Sequence, residues 1–511
     1  MALLTGEGQA TNLTEGIKWI RRAALQEDAG ALNALGYCYI NGFGMPQDLN
    51  EGIRLYRLAA ERGSPEAMAN LAIEYAKGRA LPKDEKLSFE WQKKAAEAGY
   101  ASSQYFIGKY YLTGADGVEK NPRLGIQWLT KSADQGFAKA QEFLGELYLQ
   151  GQGVSKDNDV GRQWLQKAAE QNNPDAFFSL AMMTLRGSNT IQQVQTASAY
   201  ASKAALAGSP RGQFIYAELL LGYHGLPVDK KEARRWFQKA AEQDHPAAQL
   251  MLGIMCLNGQ GGDREPETAF RWLKSSANLG NLIAATQLGS LYLNGTGTER
   301  NPTEAFKAFK IAAEGGVLSA EYQLAECYRF GKGTEKDETQ VLHWCQRAAN
   351  AGWPEAQLAL GRMYRAGEAG LTKNMDEAMK WLLSAAERGD ASAQYELGFL
   401  YIKGQEVSQD MTAAAKWFSR AANQGQAGAE NCIGYSLANG IGVQTNLIES
   451  YKWLSLAYAQ KDPQAQVNLP ALEAKLTPEQ IQSGKTLAAN FKPKPEIPVS
   501  LPLPRLEDYL K

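Results

Sequence analysis

The chain of 511 residues is 44% hydrophobic and 21% charged, and 54 Lys and Arg stand against 55 Asp and Glu for a formal charge of −1. This balance describes a water-soluble globular chain and excludes the basic footprint of a dedicated nucleic-acid binder, so no nucleic-acid partner is expected. No apolar run approaches the roughly 18 residues of a membrane-spanning helix, so no membrane span is expected.

The opening stretch MALLTGEGQATNLTEG has no basic leader, no long apolar segment and no small-residue cleavage site, so the chain as it stands is expected to be cytoplasmic. From there a repeat takes over. A small residue follows an apolar one at Gly36, Ala72, Gly108, Gly145, Ala181, Ala217, Gly253, Gly289, Ala325, Gly361, Gly398 and Gly434; nine of the eleven intervals are 36 residues and two are 37. Nineteen or twenty residues after the small position comes Trp91, Trp128, Trp164, Trp236, Trp272, Trp344, Trp381, Trp417 or Trp453, and Trp19 holds the same phase. Leu55, Tyr200 and Ala308 fill the remaining positions, so ten of the eleven tryptophans belong to one site of the repeat.

Each half of the unit reads as a helix. Ala356, Leu360 and Tyr364 share one face of a first helix, and Ala378, Trp381 and Ala385 share one face of a second. Glycine loops such as Gly151-x-Gly153 supply the positive φ that stops the first helix. Asn or Asp then opens the second helix, and a glycine such as Gly63 or Gly389 ends the pair. One pair of about 36 residues cannot bury its apolar face alone, so pairs must stack. The predicted fold is all-α: an α/α solenoid superhelix of about 12 to 13 helix pairs over residues 1–460, with a concave face. Gly or Ala lets backbones approach, and the Trp or Tyr rings fill the space between pairs.

Counting back one period from Gly36 places the preceding small position before Met1, so the first repeat is incomplete. A longer natural chain is expected on this ground, and a leader upstream would make the protein periplasmic or secreted. Two units depart from the pattern: residues 186–196 lack the second loop glycine, and residues 221–231 space their glycines differently. Beyond the repeats, residues 461–491 read as two amphipathic capping helices, with Thr477-Pro478-Glu479 as a start signal. Residues 492–511 are rich in proline and are expected to be extended or disordered.

The stretches AKAQEFLGELYLQGQGVSKDNDVGRQWLQKAAEQN (138–172) and AGAENCIGYSLANGIGVQTNLIESYKWLSLAYAQ (427–460) resemble the Sel-one-like repeat, a relative of the tetratricopeptide repeat. The resemblance covers residues 1 to 460 and implies an adaptor or scaffold role, in bacterial signalling, envelope processes or host contact, or in eukaryotic quality control. A secreted, cysteine-rich branch of that family carries a cysteine pair in each repeat and is linked to β-lactam binding; this chain lacks those pairs.

Little catalytic chemistry is visible. The five cysteines, Cys38, Cys256, Cys327, Cys345 and Cys432, are scattered through apolar helical pattern and are read as small buried hydrophobes. The three histidines, His224, His245 and His343, show no metal-ligand spacing and are assigned structural roles, so no metal and no cofactor are expected. SGKT at 483–486 lacks the earlier glycine and the preceding strand of a phosphate-binding loop. An enzyme is therefore disfavoured. The leading reading is a non-enzymatic scaffold that binds a protein or peptide, with a binder of a small molecule or cell-wall fragment as the alternative. In repeats of the kind it resembles, the first helix lines the concave face. Positions two before and one after the small residue hold Phe106, Phe143, Met182, Ile215, Met251 and Ile254, the candidate partner surface, with inter-repeat core as the competing assignment. The oligomeric state and the identity of the partner are left open.

Overall fold

The computed structural model describes residues 13–114, 118–187, 190–222 and 225–496. The chain divides into two compact units, residues 1–263 and 264–511. The first holds the helices from Leu13–Ala24 to Pro246–Asn258, the second those from Pro266–Asn278 to Pro478–Asn490. All 27 elements among the described residues are helices, and within each unit successive helix pairs stack as a solenoid.

The repeat 138–173 shows how the sequence builds a pair. Its first helix, Ala138–Gln150, stops at Gly151, whose φ of 73° is open to glycine and whose N–H bonds Leu147 O. The second helix, Asn158–Glu170, starts where the Asp157 carboxylate accepts from Asp159 N and Val160 N. Gly145 and Gly161 bring the two backbones together. A Cβ on Gly145 would lie 2.8 Å from Leu165 Cγ, and one on Gly161 would lie 2.9 Å from Gly145 O. The apolar side chains closed in by this approach include Leu129, Leu144 and Ala140, all buried.

The ring positions also divide into core and surface. Trp236, Trp344, Trp417 and Trp453 are buried, whereas Trp19 is 55% exposed. Lys or Arg three residues after the ring lies over several of them: Lys131 Nζ is 4.4 Å from the Trp128 centroid, Lys167 4.1 Å from Trp164 and Lys239 4.0 Å from Trp236. The cysteines are free; four are buried and Cys432 is half-buried. Burial pushes the thiols of Cys38, Cys327, Cys345 and Cys432 up, to about 12 at Cys345, so these four pack as neutral groups.

Of the two irregular units, the first carries a longer helix, Ile191–Leu206, opened by a capping box between Thr190 and Gln193. His224, in the second, lies outside the described residues, as do 497–511. Helices Ala465–Glu473 and Pro478–Asn490 pack on the last repeat helix, Leu447–Ala459. There Tyr451 Oη donates to Glu473 Oε1 at 2.9 Å, and a Cβ on Gly484 would meet the Tyr451 ring at 2.6 Å. The SGKT stretch is thus one turn of a packed helix. Residues 492–496 form no helix or strand and are bonded to the repeats, as described next.

Candidate interaction surface

The first-helix positions named from the sequence divide three ways. Phe106 is exposed, Phe143 and Ile254 are half-buried, and Met182, Ile215 and Met251 are buried. The last three are packing residues: neighbouring helices cover their side chains, so they offer no surface. Phe106 and Phe143 do come together around Tyr105, at ring-centroid distances of 5.3 and 6.1 Å. Lys109 Nζ stands 5.5 Å from both the Tyr105 and Phe143 rings.

Charged groups on neighbouring first helices surround this aromatic group. Burial, with Glu146 and Asp175 nearby, pushes the Glu142 carboxyl up to about 8 against the opposing pull of Arg211 and Lys109. Burial likewise raises Glu218 to about 8. His245 is a helix cap: its Nδ1 accepts from Ala248 N at 3.2 Å, its ring stacks on Phe214, and burial lowers it to about 4. Its role is structural. Among the described residues no group of three or more His, Cys, Asp or Glu side chains could hold a metal ion. No described helix is long and apolar enough to cross a membrane.

A second set of side chains, not singled out by the sequence, repeats from unit to unit. A buried glutamine near the start of a first helix donates to a carbonyl at the end of the preceding second helix. Gln104 bonds Ala96 O, Gln141 bonds Ala133 O, Gln213 bonds Ala205 O and Gln394 bonds Ala386 O, at 3.0 to 3.4 Å. Each of these glutamines then accepts from a second glutamine at the end of its own pair. The pairs are Gln135 to Gln104, Gln171 to Gln141, Gln243 to Gln213 and Gln424 to Gln394, at 2.7 to 2.9 Å. The basic residue beside the ring completes each rung: Lys131, Lys167, Lys239 and Arg420. Three rungs lie in the unit 1–263 and one in the unit 264–511.

The fourth rung holds part of the chain itself. Phe491 packs edge-on against Trp453 at 5.1 Å, Pro493 lies over Gly425, and Lys494 N donates to Asn423 O at 2.9 Å. Glu496 N donates to Gln424 Oε1 at 3.0 Å. Its carboxylate accepts from Gln394 Nε2 at 3.0 Å and from the Arg420 guanidinium, whose Nε is 3.1 Å away. The Arg420 guanidinium, then Gln394, hold the Glu496 carboxyl below the ordinary carboxylate range. Hydrophobic periodicity could not reveal these rungs, because glutamine carries no apolar signal; the 36-residue recurrence of glutamine and lysine could have.

Comparison with known proteins follows the same lines. The Sel1 repeat matches thirteen consecutive stretches, from 1–28 and 29–64 through 391–426 and 429–462. The chain is similar in structure to c5321, a protective antigen of uropathogenic Escherichia coli strains with an SLR fold. The two share 27% identity and a TM-score of 0.56, over 93% of this chain and 94% of that one. A Sel1 repeat protein from Oxalobacter formigenes is 32% identical, with a TM-score of 0.51, over 61% of this chain and 90% of that one. No curated protein matches the chain. With matched repeats spanning nearly its whole length, the chain belongs to the Sel1 repeat family.

Proposed function

We propose that this protein is a non-catalytic scaffold that holds a segment of another protein on its repeat surface. Sel1 repeat solenoids are a common protein-interaction fold, typically without catalysis. The observation that carries the reading is the seating of residues 491–496. An extended segment is gripped through its backbone by Gln424 and Asn423, and through its side chains by Trp453, Gln394 and Arg420. The same residue types recur on other repeats, so the surface is chemically equipped to hold a second chain in the same manner. A cytoplasmic placement accords with five free thiols.

The test is capture of partners with the full-length chain, followed by cross-linking and mass spectrometry under native conditions. A stoichiometric protein whose cross-links fall on the repeats is the expected result. Recovery of a bound small molecule, with no protein partner under any condition tried, would instead favour the small-ligand alternative. Cell fractionation that finds the protein in the periplasm or medium would correct the compartment.

A further inference from the structure

The four rungs share their hydrogen bonds but differ in what covers them. At the fourth, Arg420 and Gln424 are half-buried beneath residues 493–496. At the other three, Lys131, Gln135, Lys167, Gln171, Lys239 and Gln243 are all exposed, while the inner glutamines Gln104, Gln141 and Gln213 are buried.

The rung of the repeat 138–173 copies the occupied one most closely. Gln171 Nε2 bonds both Gln141 Oε1 at 2.8 Å and Gly136 O at 2.9 Å, as Gln424 Nε2 bonds Gln394 Oε1 and Gly389 O, each at 2.9 Å. With both amide hydrogens committed, what Gln171 presents outward is a carbonyl oxygen, an acceptor for a backbone N–H. Gln141 gives one amide hydrogen to Ala133 O; the second is the one that Gln394 gives to Glu496. Lys167, held over the Trp164 ring, stands where Arg420 stands over Trp417. Every group that holds Glu496 has its counterpart.

The adjoining repeat also matches. The tail runs from later repeats toward earlier ones: Phe491 lies on Trp453 of the repeat 429–462, and Glu496 reaches the rung of 391–426. In the unit 1–263, the repeat after 138–173 has Tyr200 at the ring position, Phe177 in place of the inner glutamine and Ala207 in place of the outer one. These changes open a recess of about 840 Å³ lined by Phe177, Leu180, Tyr200, Lys203 and Leu206 among others. It lies where an apolar side chain ahead of the acidic residue would come to rest. The tail makes the same step between adjoining repeats with five residues, from Phe491 on Trp453 to Glu496 on Gln394.

We propose that repeats 138–209 bind an extended segment of a partner protein that carries an aromatic residue followed, about five residues later, by a glutamate or aspartate. The aromatic side chain enters the recess beside Phe177 and Tyr200. The carboxylate bonds Gln141 and Lys167, and the backbone N–H of the acidic residue bonds Gln171. The rungs of Lys131 and Lys239 take further acidic residues on either side. This inference rests on the peptide-binding reading above and specifies its ligand. The chain's own tail is the internal example, and its tether to the last repeats gives it a high effective concentration there, which leaves repeats 138–209 to a partner.

The probe is a synthetic peptide of residues 489–497, blocked at both ends and labelled, titrated by fluorescence anisotropy into the full-length protein at low ionic strength. Saturable binding is expected. Replacing the glutamate of the peptide by glutamine, or Lys167→Glu in the protein, is expected to weaken it tenfold or more. Lys310→Glu, an equal charge change in the other unit, is expected to leave it unchanged. Circular dichroism checks that Lys167→Glu, at an exposed position, keeps the fold. Equal affinity for the glutamate and glutamine peptides, or for native and Lys167→Glu protein, overturns the rung assignment while peptide binding itself stands. Absence of any binding by this peptide also overturns the rung assignment, and the partner-capture experiment then judges the broader reading separately.

Discussion

Gln394 donates to the carboxylate of Glu496, 102 residues further along the chain, at 3.0 Å, and to Ala386 O at the same distance. One buried amide thus serves both as a brace between helix pairs and as a receptor for an extended segment. Several measurable consequences follow from this double use and from the packing around it.

Glu496 should make docking of the tail depend on pH. Its carboxyl is held below the ordinary value by Arg420, so the docked state gains stability above about pH 4.3 and loses it as pH falls through the lowered value. Measured against the intrinsic rate at each pH, the amides of Phe491, Lys494 and Glu496 should be protected from hydrogen exchange at pH 7 and lose that protection at pH 3. Glu496→Gln should abolish the protection at both; protection retained in that variant at pH 7 would show that the carboxylate is dispensable.

Glu430 replaces the inner glutamine in the last repeat and accepts from Gln460 at 2.9 Å. Burial pushes its carboxyl up to about 7. A raised carboxyl favours the protonated fold, so its ionisation costs stability as pH rises from about 4.3 through 7. Glu430→Gln should therefore stabilise the unit 264–511 at pH 8, on the order of 2 kcal/mol, with a gain that shrinks toward pH 4.5. Thermal melts at the two pH values measure this.

Gln357 donates to Ala349 O at 3.1 Å, but its Oε1 has no hydrogen-bond partner among the described residues. The outer position of that repeat holds Arg388 in place of glutamine. Arg388→Gln should supply the missing donor and stabilise the protein by about 1 kcal/mol. Urea denaturation that shows a loss of stability would contradict it.

The first-helix residues should separate by depth. Met251→Ala, at a side chain 3% exposed, should cost about 2–5 kcal/mol. Phe106→Ala, at one 44% exposed, should cost less than about 1 kcal/mol and act on binding if at all. Similar losses from both would place Phe106 in the core.

Gly333 combines a φ of 76° with a position where a Cβ would sit 2.0 Å from Pro302 O in the preceding pair. Gly333→Ala should cost at least about 3 kcal/mol, because backbone conformation and inter-repeat spacing both oppose it. A melting temperature close to that of the native protein would mean the loop can move away.

The sequence by itself determined the repeat, its helix ends and the places of the rings, because each is written in local terms. Glycine at Gly151 stops a helix, Asp157 starts the next, and Gly145 and Trp164 mark the close and wide parts of one packing period. Tertiary structure decided what those terms leave open. Phe106 and Met251 occupy the same place in the repeat, two before the small residue, yet one is exposed and the other buried. The difference comes from the side chains of neighbouring repeats, which a single helix pattern does not contain. The tail reads as polar and proline-rich, and its segment 492–496 is held where the Glu496 carboxylate accepts from Arg420 and Gln394 and the Glu496 N–H donates to Gln424. Apolar burial follows a period that a sequence displays; hydrogen bonds between polar groups 30 to 102 residues apart depend on where the fold sets them down.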